Sequence, residues 1–277
     1  MAKLTDPAIV EAVLNLVLNH AALERSRPFV LGICGSQGSG KSTLSAILQE
    51  DLTARGLPTV VLSLDDIYKT RAERDSMARL HHPLFRTRGV PGTHDVSLAL
   101  DILCALENGQ PAPLPRFDKA ADNRADPSLW GMAPADTRVL IFEGWFVGVR
   151  PAAEVPDPAP LNALEAAEDP QGTWRQLAEQ ALRDDYQSLF ARLDALVLLA
   201  APDFDVVLSW RIQQEHALRA NGCDGMTDEE VGVFIQHYER LTRRILTEMP
   251  EYADLVIDLD QFRVARAIRH RKSFNRD

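Results

Sequence analysis

The stretch Gly35-Ser-Gln-Gly-Ser-Gly40-Lys41-Ser42 directly follows the apolar run Phe29–Cys34 and spells the pattern G-x-x-x-x-G-K-[ST]. A buried strand, a glycine-rich turn and a helix beginning near Lys41 form the context that a phosphate-binding P-loop requires. Backbone N–H groups of such a loop curl around an oxyanion, and the helix N-terminus adds partial positive charge. Glycine is needed because a Cβ would block close approach of the backbone or a positive φ. A chance turn before an ordinary helix is the alternative, but the flanking strand and helix favour nucleotide binding.

The residues of this loop have separate predicted roles. Lys41 would reach the β- and γ-phosphates of ATP, and the Ser42 hydroxyl would ligate Mg²⁺. The residues predicted to surround the nucleotide are Gly35, Ser36, Gln37, Gly38, Ser39, Gly40, Lys41, Ser42 and Thr43. ATP and Mg²⁺ are therefore the expected cofactors.

Bulk composition narrows the class of protein. The chain has 277 residues, a formal net charge of −10, and 45% hydrophobic and 25% charged residues, which is ordinary for a globular protein. The negative charge argues against a general nucleic-acid binder, which needs a basic face. No run approaches the ~18 apolar residues of a membrane span, and Asp6 and Glu11 interrupt the apolar positions that a signal peptide would need. We expect a cytoplasmic protein without a nucleic-acid or membrane partner, and its oligomeric state stays open.

Short apolar runs bounded by turn or polar residues predict five buried parallel strands, at 29–34, 59–64, 138–142, 195–201 and 254–259. Helical patterns separate these runs, so the expected fold is α/β: a doubly wound, mostly parallel sheet with helices on both faces. The helix from Lys41 is predicted to end near Arg55, because Gly56 can supply a left-handed end and Pro58 prevents continuation. Right-handed crossovers bring the carboxyl ends of the strands to the P-loop edge, where ligands bind.

The whole chain, 1–277, is expected to form one P-loop domain with four additions. They are an N-terminal helix in 1–27, a long excursion at 68–127, an acidic loop at 150–185 and a basic tail at 262–277. The excursion contains one plausible helix, Val96 to Leu106, and long loops of this kind are usually functional or disordered. The acidic loop is predicted to be solvated and to lead into a helix. For the tail we expect a solvated end, with a contact to phosphates or a partner as the alternative.

Three carboxylates follow predicted strands at the P-loop edge. Asp65 and Asp66 come directly after the second strand, and Glu143 follows the third. Such a group can hold Mg²⁺, directly or through water, and can take a proton from an attacking hydroxyl. The alternative makes one of the two aspartates a helix N-cap. A cap explains one aspartate, whereas the pair together with the glutamate favours chemistry.

The order of several motifs resembles a known enzyme family. The motifs are Gly35 to Thr43, Ser63-Leu-Asp-Asp-Ile-Tyr68, Arg88-Gly-Val-Pro-Gly-Thr-His-Asp95, Leu114-Pro-Arg-Phe-Asp-Lys119, Arg124-Ala-Asp-Pro127, Phe142-Glu-Gly-Trp145, Trp210-Arg-Ile-Gln-Gln-Glu215 and Gly225-Met-Thr-Asp-Glu-Glu-Val231. Together they resemble the plant-type D-glycerate 3-kinases and their fungal and bacterial relatives, within the wider group of phosphoribulokinase, uridine kinase and pantothenate kinase. The resemblance covers about residues 29 to 260. The stretch between Lys119 and Arg124 is shorter than in the plant enzymes.

The resemblance implies roles for individual residues. Asp65 matches the general base of the related kinases, while Asp66 and Glu143 would serve the Mg²⁺ shell. The residues implied to bind the acceptor are Asp65, Tyr68, Arg88, His94, Asp95, Arg116 and Lys119. Cationic residues suit a carboxylate substrate, because a guanidinium can bind it bidentately. Surface salt bridges are the alternative for these residues, and Asp95 or His94 could instead cap the helix near Val96.

Arg211 is implied to be a catalytic lid residue. In this kinase group a lid brings arginine to the transferred phosphoryl group, where charge spreads during the reaction. Arg211 is predicted to open a helical run that extends to Ala220. An ion pair with Glu215, one helical turn away, is the alternative.

The implied fold and reaction follow from the same resemblance. The five parallel strands would lie in the order 2-3-1-4-5, as in nucleoside-kinase folds. The implied enzyme is an ATP-dependent phosphotransferase with an alcohol acceptor, which converts D-glycerate to 3-phosphoglycerate with Mg²⁺. One alternative acceptor is a nucleoside, a pantothenate-like acid or another small hydroxylated molecule. A further alternative is an ATPase switch or assembly factor, although the long charged excursion suits an acceptor site better than a γ-phosphate-responsive switch loop.

Overall fold

A central sheet carries the P-loop in this computed structural model, which describes residues 6–21, 26–153, 159–220, 222 and 225–271. The strands are β1 (Phe29–Gly35), β2 (Thr59–Ser63), β3 (Ala112–Leu114), β4 (Phe117–Asp118), β5 (Asn123–Arg124), β6 (Gly131–Ala133), β7 (Val139–Gly144), β8 (Ala195–Ala200), β9 (Leu255–Leu259) and β10 (Ala265–His270). The helices are α1 (Pro7–Ala21), α2 (Lys41–Ala54), α3 (Arg71–Leu80), α4 (Val96–Glu107), α5 (Ala163–Glu168), α6 (Thr173–Ala181), α7 (Gln187–Phe190), α8 (Phe204–Ala220), α9 (Asp228–Phe234) and α10 (Gln236–Glu248). Short 3₁₀ turns lie at Leu64–Ile67, Pro83–Arg86, Pro127–Leu129 and Met249–Glu251, and a π-helical turn lies at Leu182–Tyr186.

Within the described residues the main sheet has six strands, in the order β10-β9-β8-β1-β7-β2. The five predicted strands correspond to β1, β2, β7, β8 and β9, and all of them are parallel. Numbered one to five in chain order, they lie as 2-3-1-4-5 from the β2 edge. Every residue of β1, β7 and β8 is buried, so both faces of the sheet are covered, as their uninterrupted apolar sequences predict. The predicted α/β fold with a mostly parallel sheet is confirmed.

The sixth strand corrects two predictions. Ala265–His270 pairs antiparallel with β9, so the sheet is not five-stranded and this part of the basic segment is not a solvated tail. Arg269 forms an ion pair with Asp258 of β9 at 2.8 Å. Arginines can therefore lie on an edge strand of the sheet, which a count of charges in the sequence does not reveal. Residues 272–277 of the predicted tail lie outside the described residues.

The excursion between β2 and β7 is more ordered than predicted. Besides the predicted helix α4, it contains α3, whose sequence Arg71-Ala-Glu-Arg-Asp-Ser-Met-Ala-Arg-Leu80 lacks an apolar stripe. Helix α3 begins with a capping box between Thr70 and Glu73. It buries Arg74, whose guanidinium donates to the carbonyl oxygens of Lys69, Arg86 and Asp122. A charged side chain therefore fills the position where periodicity would require an apolar one.

The acidic segment 150–185 is not simply a solvated loop. It contains α5 and α6, and three of its charged side chains are buried. Arg175 donates to Asp169 at 2.9 Å, and Arg240 of α10 contacts Glu165 at 2.7 Å. These buried carboxylates therefore have arginine partners within the fold instead of facing solvent. Residues 154–158 lie outside the described residues, and none of the described helices combines the length and apolar character of a membrane span.

Candidate active site

The P-loop joins β1 to α2 and requires glycine at specific positions. Gly38 and Gly40 have φ values of 78° and 94°, a region that side-chain-bearing residues avoid. A Cβ on Gly38 would also lie 2.6 Å from the Cβ of Trp210. Gly40 precedes α2 and provides no side-chain cap, so the first N–H groups of the helix stay available to an anion. This geometry is that of a phosphate cradle.

Polar side-chain atoms of the loop are buried without a partner. Among the described residues, no group bonds to Ser36 Oγ, Ser39 Oγ or Gln37 Oε1, although all three atoms are inaccessible. Ser42 and Thr43 lie in the first turn of α2 and are exposed. Burial of a polar atom without a hydrogen bond costs free energy, so native proteins rarely leave such atoms unpaired. These atoms therefore indicate a surface that binds a ligand.

Ser42 and Glu143 form a small oxygen-rich centre beside the loop. The Ser42 hydroxyl donates to Glu143 Oε1 at 2.9 Å, and Glu143 is only 3% exposed. Its second oxygen, Oε2, has no partner among the described residues. A buried carboxylate oxygen in this state suits a hard cation, and Mg²⁺ usually binds through one or two protein oxygens together with substrate phosphates. In the described residues no cluster of three or more histidine, cysteine or acidic side chains could hold a metal alone, which fits this mode of binding.

Asp65 lies just past β2, in the 3₁₀ turn that Ser63 caps through its side chain. The alternative that an aspartate caps this turn is therefore wrong. Tyr68 donates to Asp65 Oδ1 at 3.0 Å, and Lys119 donates to Asp65 Oδ2 at 2.8 Å. Burial alone would raise the pKa of Asp65, but Lys119 and Lys41 outweigh it and hold the pKa well below its usual range. Burial and the Asp65 carboxylate raise the pKa of Tyr68, so its hydroxyl keeps the proton that it donates.

Asp66 holds the neighbouring segment through two hydrogen bonds. Its Oδ2 accepts from Arg116 at 2.9 Å, and its Oδ1 accepts from the backbone N–H of Phe117 at 3.0 Å. Burial raises the pKa of Asp66 despite these contacts. Each oxygen of Asp66 has a donor from the segment 116–117, and its place in the Mg²⁺ shell stays a prediction.

His94 lies in an aromatic cluster next to Asp65. Its ring stacks on Tyr68 with centroids 4.4 Å apart, and its Nδ1 lies 2.7 Å from the Tyr186 hydroxyl. Burial lowers the pKa of His94 to about 3, so the imidazole is neutral near pH 7. Its Nε2 is buried without a partner among the described residues. His94 is therefore close to the predicted acceptor site, as an uncharged group.

Two other predicted acceptor residues have structural partners. Asp95 caps α4 by accepting from the backbone N–H of Leu98 at 3.1 Å, and it also pairs with Arg124 at 3.0 Å. The N-cap alternative for Asp95 is therefore present, and its substrate contact stays a prediction. Arg88 pairs with Asp122 and lies over the ring of Phe117 at 5.4 Å. Its guanidinium is thus fixed beside the site by protein groups.

Arg211 also adopts its structural alternative. Helix α8 begins at Phe204, so Arg211 lies in its second turn and does not open the helix as predicted. Its guanidinium pairs with the buried Glu215 one turn away and donates to Gln214 at 3.2 Å. In this arrangement the cation is held along the helix, and its catalytic role stays a prediction.

Arg263 contacts the P-loop, although the sequence placed it in the predicted basic tail. It lies in the turn between β9 and β10, where its Nε donates to the carbonyl oxygen of Gly38. The guanidinium also lies over the ring of Trp210, 4.9 Å from the centroid. A signal was available: the chain leaves β9 at the same edge as the other parallel strands, so residues after Leu259 had to emerge near the P-loop.

Comparisons with known proteins agree with this geometry. The model of the phosphoribulokinase / uridine kinase family matches residues 30–157. The uncharacterized kinase mug58 of Schizosaccharomyces pombe is 39% identical over 83% of this chain and 85% of that protein. The chloroplastic D-glycerate 3-kinase of Arabidopsis thaliana is 32% identical over 85% of this chain, which spans about half (53%) of the plant protein's length.

A solved structure shows the same overall architecture. The D-glycerate 3-kinase from Cryptococcus neoformans superposes with a TM-score of 0.78 at 26% identity, covering 95% of this chain and 99% of that one. The resemblance drawn from the motifs is confirmed. With a P-loop at the head of the matched segment, the chain belongs to the phosphoribulokinase / uridine kinase family and is an ATP-dependent kinase of the type that includes the D-glycerate 3-kinases.

Proposed function

We propose that this kinase phosphorylates D-glycerate to 3-phosphoglycerate with ATP and Mg²⁺. The observation that supports the acceptor most directly is the pair of exposed cations Arg116 and Lys119, which lie on Asp66 and Asp65 beside the P-loop. Two neighbouring exposed cations suit a carboxylate that enters together with a hydroxyl group. The names of the plant and Cryptococcus relatives point to the same acceptor.

The proposed reaction uses the residues in distinct roles. Asp65 takes the proton of the acceptor hydroxyl as its oxygen attacks the γ-phosphorus and the bond to the ADP oxygen breaks. The loop N–H groups and Lys41 hold the phosphates, and Ser42 and Glu143 would hold Mg²⁺. When bound, Mg²⁺ neutralises the charge that develops on the phosphate oxygens. Asp66 positions Arg116, and Tyr68 and His94 form the wall beside Asp65.

The proposal also covers the domain organisation, the partner and the compartment of the kinase. Residues 68–127 form the acceptor-site insertion of a single kinase domain that extends over 1–277, and the partner is a small hydroxy acid. We place the reaction in the cytoplasm, where ATP is abundant. The net charge of −10 leaves no role for nucleic acid in this proposal.

Substrate screening tests the acceptor directly. ADP release would be followed with D-glycerate, L-glycerate, glycerol, pantothenate and several nucleosides, each with ATP and Mg²⁺. We expect the highest kcat/KM for D-glycerate and formation of the 3-phosphate, identified by phosphorus NMR. Comparable kcat/KM values for glycerol and glycerate would refute carboxylate recognition.

Arg116→Ala is expected to raise KM for D-glycerate about tenfold or more, because a charge-assisted hydrogen bond typically contributes ~1.5–3 kcal/mol. The affinity for ATP should change little, since Arg116 pairs with Asp66 and has no role in the phosphate loop in this proposal. Arg116→Lys is the matched variant: it keeps the charge but loses the bidentate fork, so an intermediate KM is expected. Steady-state kinetics with each substrate varied in turn separate the two affinities. Equal KM values for glycerate in the wild type and Arg116→Ala would remove Arg116 from the acceptor site.

Glu143→Gln is expected to raise the Mg²⁺ concentration for half-maximal activity by at least about tenfold, as loss even of an outer-shell ligand partner costs ~10–100-fold in metal affinity. The amide still accepts from Ser42, so that hydrogen bond survives. Because Glu143 Oε2 has no partner without ligands, the variant should melt at the same or a higher temperature.

A matched control for this variant is Glu165→Gln. Glu165 is also buried but pairs with Arg175 and Arg240, so this variant should melt at a lower temperature and keep the Mg²⁺ dependence of the wild type. An unchanged Mg²⁺ titration for Glu143→Gln would exclude Glu143 from the metal centre.

A further inference from the structure

Both oxygens of the Asp65 carboxylate are occupied. Tyr68 donates to one oxygen and Lys119 to the other, at 3.0 and 2.8 Å. An ammonium ion on a carboxylate oxygen lowers its basicity and crowds the position from which a general base accepts the hydrogen of the attacking hydroxyl. We propose that Lys119 is a removable cap on Asp65, which the carboxylate of the acceptor draws away, so that only acidic acceptors uncover the base. This inference rests on the proposed function and adds a second source of its substrate specificity.

The two donors differ in their freedom to leave. Tyr68 is 3% exposed, its ring stacks on His94 at 4.4 Å, and it meets the edge of Phe117 at 5.2 Å. Lys119 has a side chain that is 63% exposed and contacts Asp65 from a long flexible stem. An exposed ion pair of this kind has little net stability. Lys119 is therefore the donor that moves, while Tyr68 keeps the carboxylate in its orientation.

Arg116 forms a similar exposed ion pair with Asp66, the residue after Asp65. Its side chain is 56% exposed and pairs with Asp66, so two exposed cations of one segment contact two adjacent aspartates. An anion that approaches this segment competes with Asp65 and Asp66 for Lys119 and Arg116. A carboxylate has the charge and the geometry for this exchange, and a neutral polyol has neither.

The exchange leads directly to the chemical step. When Lys119 pairs with the acceptor carboxylate, Asp65 Oδ2 becomes free to accept the hydrogen of the terminal hydroxyl. The hydroxyl oxygen then bonds to the γ-phosphorus, the bond from that phosphorus to the ADP oxygen breaks, and the proton stays on Asp65. Without an acidic acceptor, Lys119 stays on Oδ2 and lowers its basicity, so the transfer of a proton from water is slowed. The cap therefore suppresses hydrolysis of ATP in an empty acceptor site.

The variant Lys119→Met removes the cap and keeps the length of the side chain. We expect lower kcat/KM for D-glycerate but higher rates of two other reactions, namely ATP hydrolysis without acceptor and phosphorylation of glycerol. These two rates should rise roughly two- to fivefold, the range that the loss of an exposed ion pair allows. Arg79→Gln, which removes an exposed cation of α3, is the control and should leave all three rates unchanged.

D-lactate tests the cap in the unaltered protein. It carries the carboxylate and the adjacent hydroxyl of D-glycerate but has a methyl group in place of the terminal hydroxymethyl group. It should draw Lys119 away and leave room for water, so it should stimulate ATP hydrolysis by the wild type. Lys119→Met should not respond to D-lactate. Glycerol at the same concentration should not stimulate hydrolysis by the wild type.

The outcomes separate this inference from the proposed function. A loss of activity with glycerate in Lys119→Met, without any gain in ATP hydrolysis or in glycerol phosphorylation, would overturn the proposal of a cap. That result would leave Lys119 with acceptor binding as its only role. A wild-type preference for glycerate over glycerol would then still support the proposed function. Absence of D-lactate stimulation in the wild type also overturns the cap. A wild type that does not distinguish glycerate from glycerol overturns both proposals.

Discussion

Lys41→Ala is expected to lower kcat at least about 10²–10³-fold, the loss that follows removal of one group stabilising transition-state charge. Lys41 begins α2, so its ammonium group lies at the N-terminal end where the phosphates are expected. It lies near enough to Asp65 to lower the pKa of that carboxylate. Kinetics of ADP formation measure the loss, and circular dichroism with thermal melting should show an intact fold.

Arg55→Ala is the matched control for Lys41→Ala. Arg55 is a cation just past the opposite end of the same helix, where it pairs with Asp51 on the surface. Removing it should leave kcat and the affinity for ATP unchanged. Wild-type turnover by Lys41→Ala would contradict the assignment of the loop as the working phosphate site.

Asp65→Asn is expected to lower kcat by ~10²–10⁴-fold, the usual contribution of a general base. The amide can still accept from Tyr68, so the packing around residue 65 is kept while the proton acceptor is lost. The KM for ATP should change far less than kcat. Both quantities come from one set of initial-rate measurements at saturating D-glycerate.

The neighbouring variant Asp66→Asn tells the two aspartates apart. Because Asp66 holds Arg116 and the N–H of Phe117, its substitution should act mainly on the KM for glycerate. If Asp66→Asn instead shows the larger loss in kcat, Asp66 is the base and the assignment within the pair is reversed.

The parts of the fold that could be predicted from the sequence depend on local signals. Uninterrupted apolar runs give buried strands, and the glycines with Lys41 give the P-loop, because each signal lies within a few consecutive residues. Helix α3 has no such signal, since Arg74 occupies its buried face. Strand β10 is exposed and rich in arginine, so only its pairing with β9 makes it a strand.

The candidate site shows the same division between local and distant signals. The sequence identified four candidate site residues, namely Asp65, Asp66, Arg116 and Lys119. It did not show which cation forms an ion pair with which aspartate. The partners lie 54 and 50 residues apart in the chain, and either cation could have met either carboxylate. In contrast, the cap formed by Asp95 on Leu98 spans three residues and could be foreseen as an alternative.

The position of β1 in the sheet has a consequence for biosynthesis. Its two neighbours are β7, which begins at Val139, and β8, which begins at Ala195. The strand that carries the P-loop therefore has no sheet partner until the residues of β7 have left the ribosome. The nearest strand in sequence, β2, pairs with β7 and not with β1. A nascent chain that pauses before residue 139 therefore presents an apolar strand with two open edges, the kind of segment that chaperones bind and that aggregates when unprotected. The central strand gains its second sheet partner only when β8 has been synthesised.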